Sequence, residues 1–400
     1  MNLELNQITT VFLAVALLMT GGLLLNKLPF LKRFCIPAPV VGGLIFAILV
    51  TILKQTGIIN ITLDTSLQSL FMLTFFTTVG LGASFKLVKL GGKLLVIYWI
   101  ACGFLALAQN LIGISLAKVL GIKPLLGIMV GAVSMEGGHG AATAFGGTLE
   151  ELGINSALSV GLAAATFGLV AGGLVGGPTV KYLVTKYKLK PTELDAMDEI
   201  SAAKESGAAD TGLDSQKFMT QILIITLCMA AGSYLGDLFS KATGFVLPAY
   251  VGAMFLAVIV RNILDTFKKD AIDMKSINLI GDVTLGIFLS MALMSIKLWE
   301  VAGLALPMLI IVFVQVIFIV LFSVFVLFKL LGKDYDAAVM VGGFTGHGLG
   351  ATPNAMANMS AITAQFGPSR KAFLIVPIVG AFLIDVFAMP IIITSINLLK

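Results

Sequence analysis

The stretch SMEGGHGAATAFGG, Ser134–Gly147, interrupts sequence that otherwise reads as membrane-buried. It sets a carboxylate, Glu136, and one of the chain's two histidines, His139, among closely spaced glycines. Hydrocarbon offers no hydrogen-bond partners, so lipid-facing chain cannot leave its backbone open. Such a stretch has to be enclosed by protein or line an aqueous cavity. A second stretch, FTGHGLGATPN, Phe344–Asn354, repeats the Gly-His-Gly core around the other histidine, His347.

The surrounding chain explains why this matters. Of 400 residues, 58% are hydrophobic and 12% charged, and the mean hydropathy is +1.03. A soluble domain carries about 25% charged residues. Eight runs lack any charge: Leu5–Asn26, Phe34–Leu53, Thr65–Phe85, Leu94–Ala117, Leu152–Val180, Phe218–Gly236, Ala242–Val260 and Val301–Phe328. Two more, Ser276–Ile296 and Ala372–Leu399, hold one carboxylate each, Asp282 and Asp385. Each run is near the ~20 residues that a membrane-spanning helix needs. The expectation is an all-α polytopic membrane protein with ten spans, lodged in a lipid bilayer. The first span reads as retained, without a cleavable leader. Cys35, Cys102 and Cys228 have no metal or redox spacing and read as packing residues.

The net charge of +5 is no nucleic-acid signal, because the basic residues sort by side. Twenty of the twenty-six fall in alternate loops, which the positive-inside rule places in the cytoplasm. Both termini then face outward, and 178–216, with seven acidic residues, becomes a cytoplasmic linker. The halves it joins are copies. FCIPAPVV from Phe34 matches FVLPAYVG from Phe245, and SFKL from Ser84 matches SIKL from Ser295 at the same offset. The Gly-His-Gly triplets follow in order, at nearly that offset. Five spans is an odd number, so the second copy is inverted, a hallmark of secondary transporters. The expected domains are a first repeat over 1–177 and a second over 217–400. Each carries a glycine-rich re-entrant hairpin, at about 124–148 and 337–368, entering from outside and from the cytoplasm respectively.

Several residue types in the hairpins suit a buried polar solute. Gly137, Gly138, Gly140, Gly346, Gly348 and Gly350 allow backbone to approach a ligand closely. Free N–H groups at half-helix starts attract carboxylate. Ser134, Thr143, Thr345 and Thr352 offer hydroxyls, to a solute or to a hard cation such as Na⁺. Asn354 and Asn358 share one helical face. Contact with the solute, support of the hairpin tip and proton transfer are all open to His139 and His347. Asp385, mid-span, is a candidate for an ammonium group or Na⁺, since ionisable residues within a membrane default to function. Glu136 either binds a cation or faces water at a cavity rim. Arg370 either clamps a carboxylate or is a basic flank, and Asp282 either caps its helix or reaches the interface.

Together MEGGHGAATAFG, GFTGHGLGATPNAMANM and FLIVPIVGAFLIDVFAMP resemble the bacterial sodium/glutamate symporter family across essentially the whole chain. The resemblance implies import of glutamate with Na⁺ through the inner membrane, with no further cofactor and no enzymatic activity. It also implies a homodimer whose hairpin-bearing domain moves against a scaffold. The expected solute contacts are Ser134, Gly137, Gly138, His139, Thr345, Gly346, His347, Gly348, Gly350, Thr352, Asn354, Arg370 and Asp385. The expected Na⁺ contacts are Glu136, Thr143, Asn358 and Asp385. Another organic anion, such as a di- or tricarboxylate, fits the same architecture. A channel and an intramembrane hydrolase using Ser134, His139 and Glu136 are more distant alternatives.

Overall fold

A computed structural model describes residues 2–28, 36–191, 214–267, 271–296 and 302–400. Cys35, Lys297 of the SIKL motif and residues 192–213 of the linker lie outside the described residues. The chain is helical but for one short parallel pair, β1 (Asn2–Leu5) with β2 (Asn60–Leu63), so the all-α expectation needs that small correction. Eight helices among the described residues are long and apolar enough to cross a membrane. Two expected spans are shorter pieces. Gln68–Gly82 has only 15 residues, and the last run is broken by a π turn at Val379–Leu383.

The first half runs α1 (Gln7–Lys27), α2 (Ala38–Gln55), α3 (Gln68–Gly82), α4 (Phe85–Val119), α5 (Pro124–Ile128), α6 (Gly138–Glu151) and α7 (Ala157–Tyr187). The second runs α8 (Ser215–Thr243), α9 (Ala249–Phe267), α10 (Met274–Met294), α11 (Ala305–Phe322), α12 (Tyr335–His347), α13 (Thr352–Phe366), α14 (Arg370–Ile378) and α15 (Ile384–Leu399). Starts follow local chemistry. Asn6, Asp214, Asp273 and Asp334 each accept from a backbone N–H in the first turn of α1, α8, α10 and α12. Helix α7 passes the expected boundary at 177 and carries Pro178 inside it. Pro178 is exposed there and costs the helix one backbone donor.

The helices sort into two bundles. Helices α1–α3 pack with α8–α10, while α4–α7 pack with α11–α15. Each bundle thus takes corresponding parts of both halves. In the first, one small-residue contact occurs twice. A Cβ at Gly21 would meet Ala38 and Gly42, and one at Gly232 would meet Gly252 and Ala253. In the second, α12 and α13 lie side by side and antiparallel. Tyr335 donates its hydroxyl to the Gly367 carbonyl, and Asn358 Nδ2 reaches the Gly342 carbonyl at 3.3 Å. In the first half, Lys123 Nζ donates to the Gly153 carbonyl at 3.4 Å, so the entry to α5 and the exit from α6 are neighbours.

Helix α7 supplies the groove for α13. Gly168, Gly172 and Gly176 recur every fourth residue on one face and let the partner backbone come close. Asn354 Nδ2 donates to the Leu169 carbonyl and Asn358 Nδ2 to the Gly172 carbonyl, both at 3.2 Å. A Cβ at Gly176 would lie 2.1 Å from Asn358 Nδ2, whereas one at the adjacent Gly177 meets nothing within 4 Å. Gly176→Ala is therefore expected to cost about 1–3 kcal/mol by overpacking. Gly177→Ala should be close to neutral. Thermal unfolding of the two purified proteins in detergent checks this; equal midpoints would refute the packing account.

Candidate functional site

A cavity of about 620 Å³ lies between the bundles. The first bundle supplies mostly apolar wall from Phe75, Phe76, Leu285 and Leu289, with the exposed Asp282 beside them. The second supplies the chemistry: Glu136, Gly137, Gly138, His139, Gly140, His347, Thr352 and Asp385. The described lining holds no lysine or arginine. The polar part of its wall is thus carboxylate, imidazole and hydroxyl.

The two glycine-rich stretches meet here. Gly138 has φ +58°, a left-handed backbone that glycine adopts without strain, and a Cβ there would lie 2.6 Å from the Gly350 carbonyl. Polar side chains of α4 serve the open backbone. Gln109 Nε2 donates to the Gly348 carbonyl at 2.6 Å, and Asn110 Oδ1 accepts from the Ala132 amide at 3.1 Å. On the far wall, Trp99 Nε1 donates at 2.5 Å to the Leu383 carbonyl, which ends the π turn before Asp385.

Both histidines are held by threonines, and the hydroxyl protons define their tautomers. Thr166 gives its proton to the Leu162 carbonyl at 2.9 Å, so it accepts from His139 Nε2 at 2.9 Å. Thr352 gives its proton to the Gly380 carbonyl at 2.6 Å and accepts from His347 Nε2 at 3.1 Å. These pairings assign the ring proton to Nε2 and leave the lone pair on Nδ1. At His347 that lone pair faces the Tyr98 hydroxyl at 3.3 Å.

The comparisons with known proteins follow this geometry. The profile described as "Sodium/glutamate symporter" matches residues 3–368. The chain belongs to the sodium/glutamate symporter family. The protein named sodium/glutamate symporter in Escherichia coli strain K12 is 41% identical over 96% of this chain and 95% of its own. Its namesake in Haemophilus influenzae is 42% identical over 94% of this chain and 93% of its own. These relatives are named as transporters, not enzymes. A solved sodium proton antiporter from Methanocaldococcus jannaschii aligns over 98% of both chains at a TM-score of 0.45 and 15% identity, a level from which nothing is argued.

Among the symporter residues singled out from sequence, several do not border the cavity. Ser134 donates to the Gly161 carbonyl at 2.8 Å, Thr143 to its own helix at the His139 carbonyl at 2.8 Å, and Thr345 to the Gly342 carbonyl at 2.9 Å. Asn354 and Asn358 face α7, and Gly346 packs on Ala355. Gly348 and Gly350 sit behind the lining, beside Leu105 and Leu169. Arg370 is exposed at the start of α14; nearby, Lys371 pairs at 3.0 Å with the buried Asp336, which also accepts from Ser369 at 2.6 Å.

Sequence reading passed over Tyr98, Gln109, Asn110, Thr166 and Gly380. The Gln-Asn pair inside an uncharged run was the available signal. Gly380 had none, yet a Cβ there would lie 1.6 Å from His347 Nε2. Gly380→Ala must displace the imidazole or the π turn. Overpacking of about 1–3 kcal/mol at the cavity wall lowers the affinity of the site roughly tenfold. Labelled-glutamate uptake should fall with it, while Gly177→Ala protein retains wild-type uptake. Unimpaired uptake by Gly380→Ala would contradict this contact.

Proposed function

We propose that the chain imports glutamate together with Na⁺ by alternating access. One observation carries the reading. The cavity of a sodium/glutamate symporter family member is walled by Glu136 and Asp385 and holds no basic side chain among its lining residues. An anionic amino acid cannot enter such a site alone, because like charges in a desolvated cavity repel strongly. Cations must accompany it. Na⁺ is a hard cation suited to oxygen ligands of the kind that Asp385, Thr352 and open backbone carbonyls offer.

The electrical balance points the same way. Moving one net negative charge inward against a negative interior costs about 2.3 kcal/mol per 100 mV. One Na⁺ per glutamate cancels the charge, and a second lets the membrane potential drive uptake.

The architecture belongs to the same proposal. Ten crossings form two inverted repeats, with both termini outside and the linker cytoplasmic in a bacterial inner membrane. The glycine-rich stretches are re-entrant hairpins, a reading supported by the Lys123–Gly153 contact and the antiparallel packing of α12 on α13. The second bundle carries the site past the first in an elevator-like movement, a reading supported by the cavity's place between the bundles. The homodimer implied by the resemblance is retained with it.

Uptake of labelled glutamate into proteoliposomes tests the central claim. An inward Na⁺ gradient should drive accumulation, and K⁺ in its place should abolish it. Asp385→Asn should raise the Na⁺ concentration for half-maximal uptake about tenfold or more, the range of a lost charged contact. Uptake indifferent to Na⁺ would overturn the reading; Asp385→Asn with wild-type Na⁺ dependence would remove that residue from it.

A further inference from the structure

We propose that Glu136 and His139 together form the subsite for the substrate's α-ammonium group. This rests on the reading of the cavity as a glutamate site and moves Glu136 from sodium to substrate. Glu136 borders the cavity, is only 6% exposed, and neither carboxylate oxygen has a hydrogen-bond partner in the fold. A buried carboxylate left so open calls for a donor from outside the fold.

His139 supplies the neighbouring acceptor. It borders the same cavity and is 5% exposed. Its Nε2 proton is held by Thr166, so Nδ1 presents a lone pair, and no described residue donates to it. Two carboxylate oxygens and one imidazole nitrogen make three acceptors. An alkylammonium carries three N–H donors.

The second repeat shows that this arrangement is particular to the first. His347 has the same tautomer, but its Nδ1 faces Tyr98. The residue matching Glu136 in the aligned Gly-His-Gly motifs is Phe344. It packs on the rings of Tyr98 and Phe322, with centroids 5.7 and 5.8 Å away. The second copy thus offers neither the carboxylate nor the spare lone pair. Both departures from symmetry fall in one stretch, three residues apart, on residues that border the same cavity. The amine has a site in one repeat alone, so the substrate binds in one orientation.

Sodium is the rival occupant. A hard cation takes oxygen ligands, whereas imidazole nitrogen suits zinc, copper or an N–H donor. The lone pair of His139 matches the ammonium and adds little to Na⁺. Asp385, which borders the same cavity, is left for the ion.

Competition against labelled-glutamate uptake in proteoliposomes tests this, with glutarate as the probe that keeps both carboxylates and lacks the amine. Wild-type protein should bind glutarate about tenfold or more weaker than glutamate, the range of lost charged hydrogen bonds. N,N,N-trimethylglutamate, which has no N–H, should compete no better than glutarate. Glu136→Gln and His139→Leu should each weaken glutamate about tenfold while leaving glutarate within about twofold, on the same basis. His139→Asn, with an acceptor oxygen near the Nδ1 position, should preserve the preference. Parallel weakening of both compounds would overturn the assignment, as would an unchanged preference with altered Na⁺ dependence in Glu136→Gln. The wild-type arm needs no variant to fold, and equal competition by glutamate and trimethylglutamate there also overturns it. A wild-type protein without Na⁺-dependent glutamate uptake sinks the transport reading and this one together. Intact uptake with unaltered preference sinks this one alone.

Discussion

Open backbone inside a membrane-type protein has to find its hydrogen bonds within the chain, and that constraint organises the second bundle. Where the glycine-rich stretches leave the helical pattern, side-chain amides take over. Gln109 holds the Gly348 carbonyl, Asn110 the Ala132 amide, and Asn358 the carbonyls of both Gly172 and Gly342. These groups lie on α4, α7, α12 and α13, just past the end of α12, and in the π turn at Met129–Val133, so satisfying the break ties the helices of both halves into one unit. A net bond of this kind is worth about 1 kcal/mol, but leaving the buried group open costs more. The network is therefore a condition for having a broken helix at all.

With the breaks secured, the bundle can present polar atoms without exposing them to lipid. The cavity wall it offers is chemically one-sided: carboxylates and neutral imidazoles on one face, phenylalanine and leucine on the other. That division suits a site that holds charged solutes. Between the bundles, Asn397 of α15 accepts from the Val246 amide at 2.7 Å and donates to its carbonyl at 3.1 Å. The small-residue contacts within each bundle, at Gly21 and Gly232 in one and along α7 in the other, let each bundle hold together as a body.

Much of this was legible in the chain. Uncharged runs marked the eight long apolar helices, and the two Gly-His-Gly triplets and the isolated Asp385 marked residues that border one cavity. The hydroxyls were less legible. Ser134 and Thr345 read as solute contacts and Thr143 as a sodium contact; hydroxyls in helices return readily to nearby carbonyls, and these three do so. Tyr98, Thr166 and Gly380 carried no local signal, because their meaning comes from rings and carbonyls far away in sequence. Pro178 looked like a boundary, yet the glycine-lined face of α7 packs against α13 and the helix continues.

By itself the sequence determined the class of protein, the repeat and the inventory of polar residues that hydrocarbon would not otherwise admit, because hydropathy and glycine spacing are properties of the chain alone. Only the tertiary structure decided which of those residues share a cavity, since that depends on helices meeting across the two halves. It alone separated His139 from His347. Their Gly-His-Gly triplets are the same, and the difference between the two rings lies in whether a distant tyrosine hydroxyl stands 3.3 Å from Nδ1.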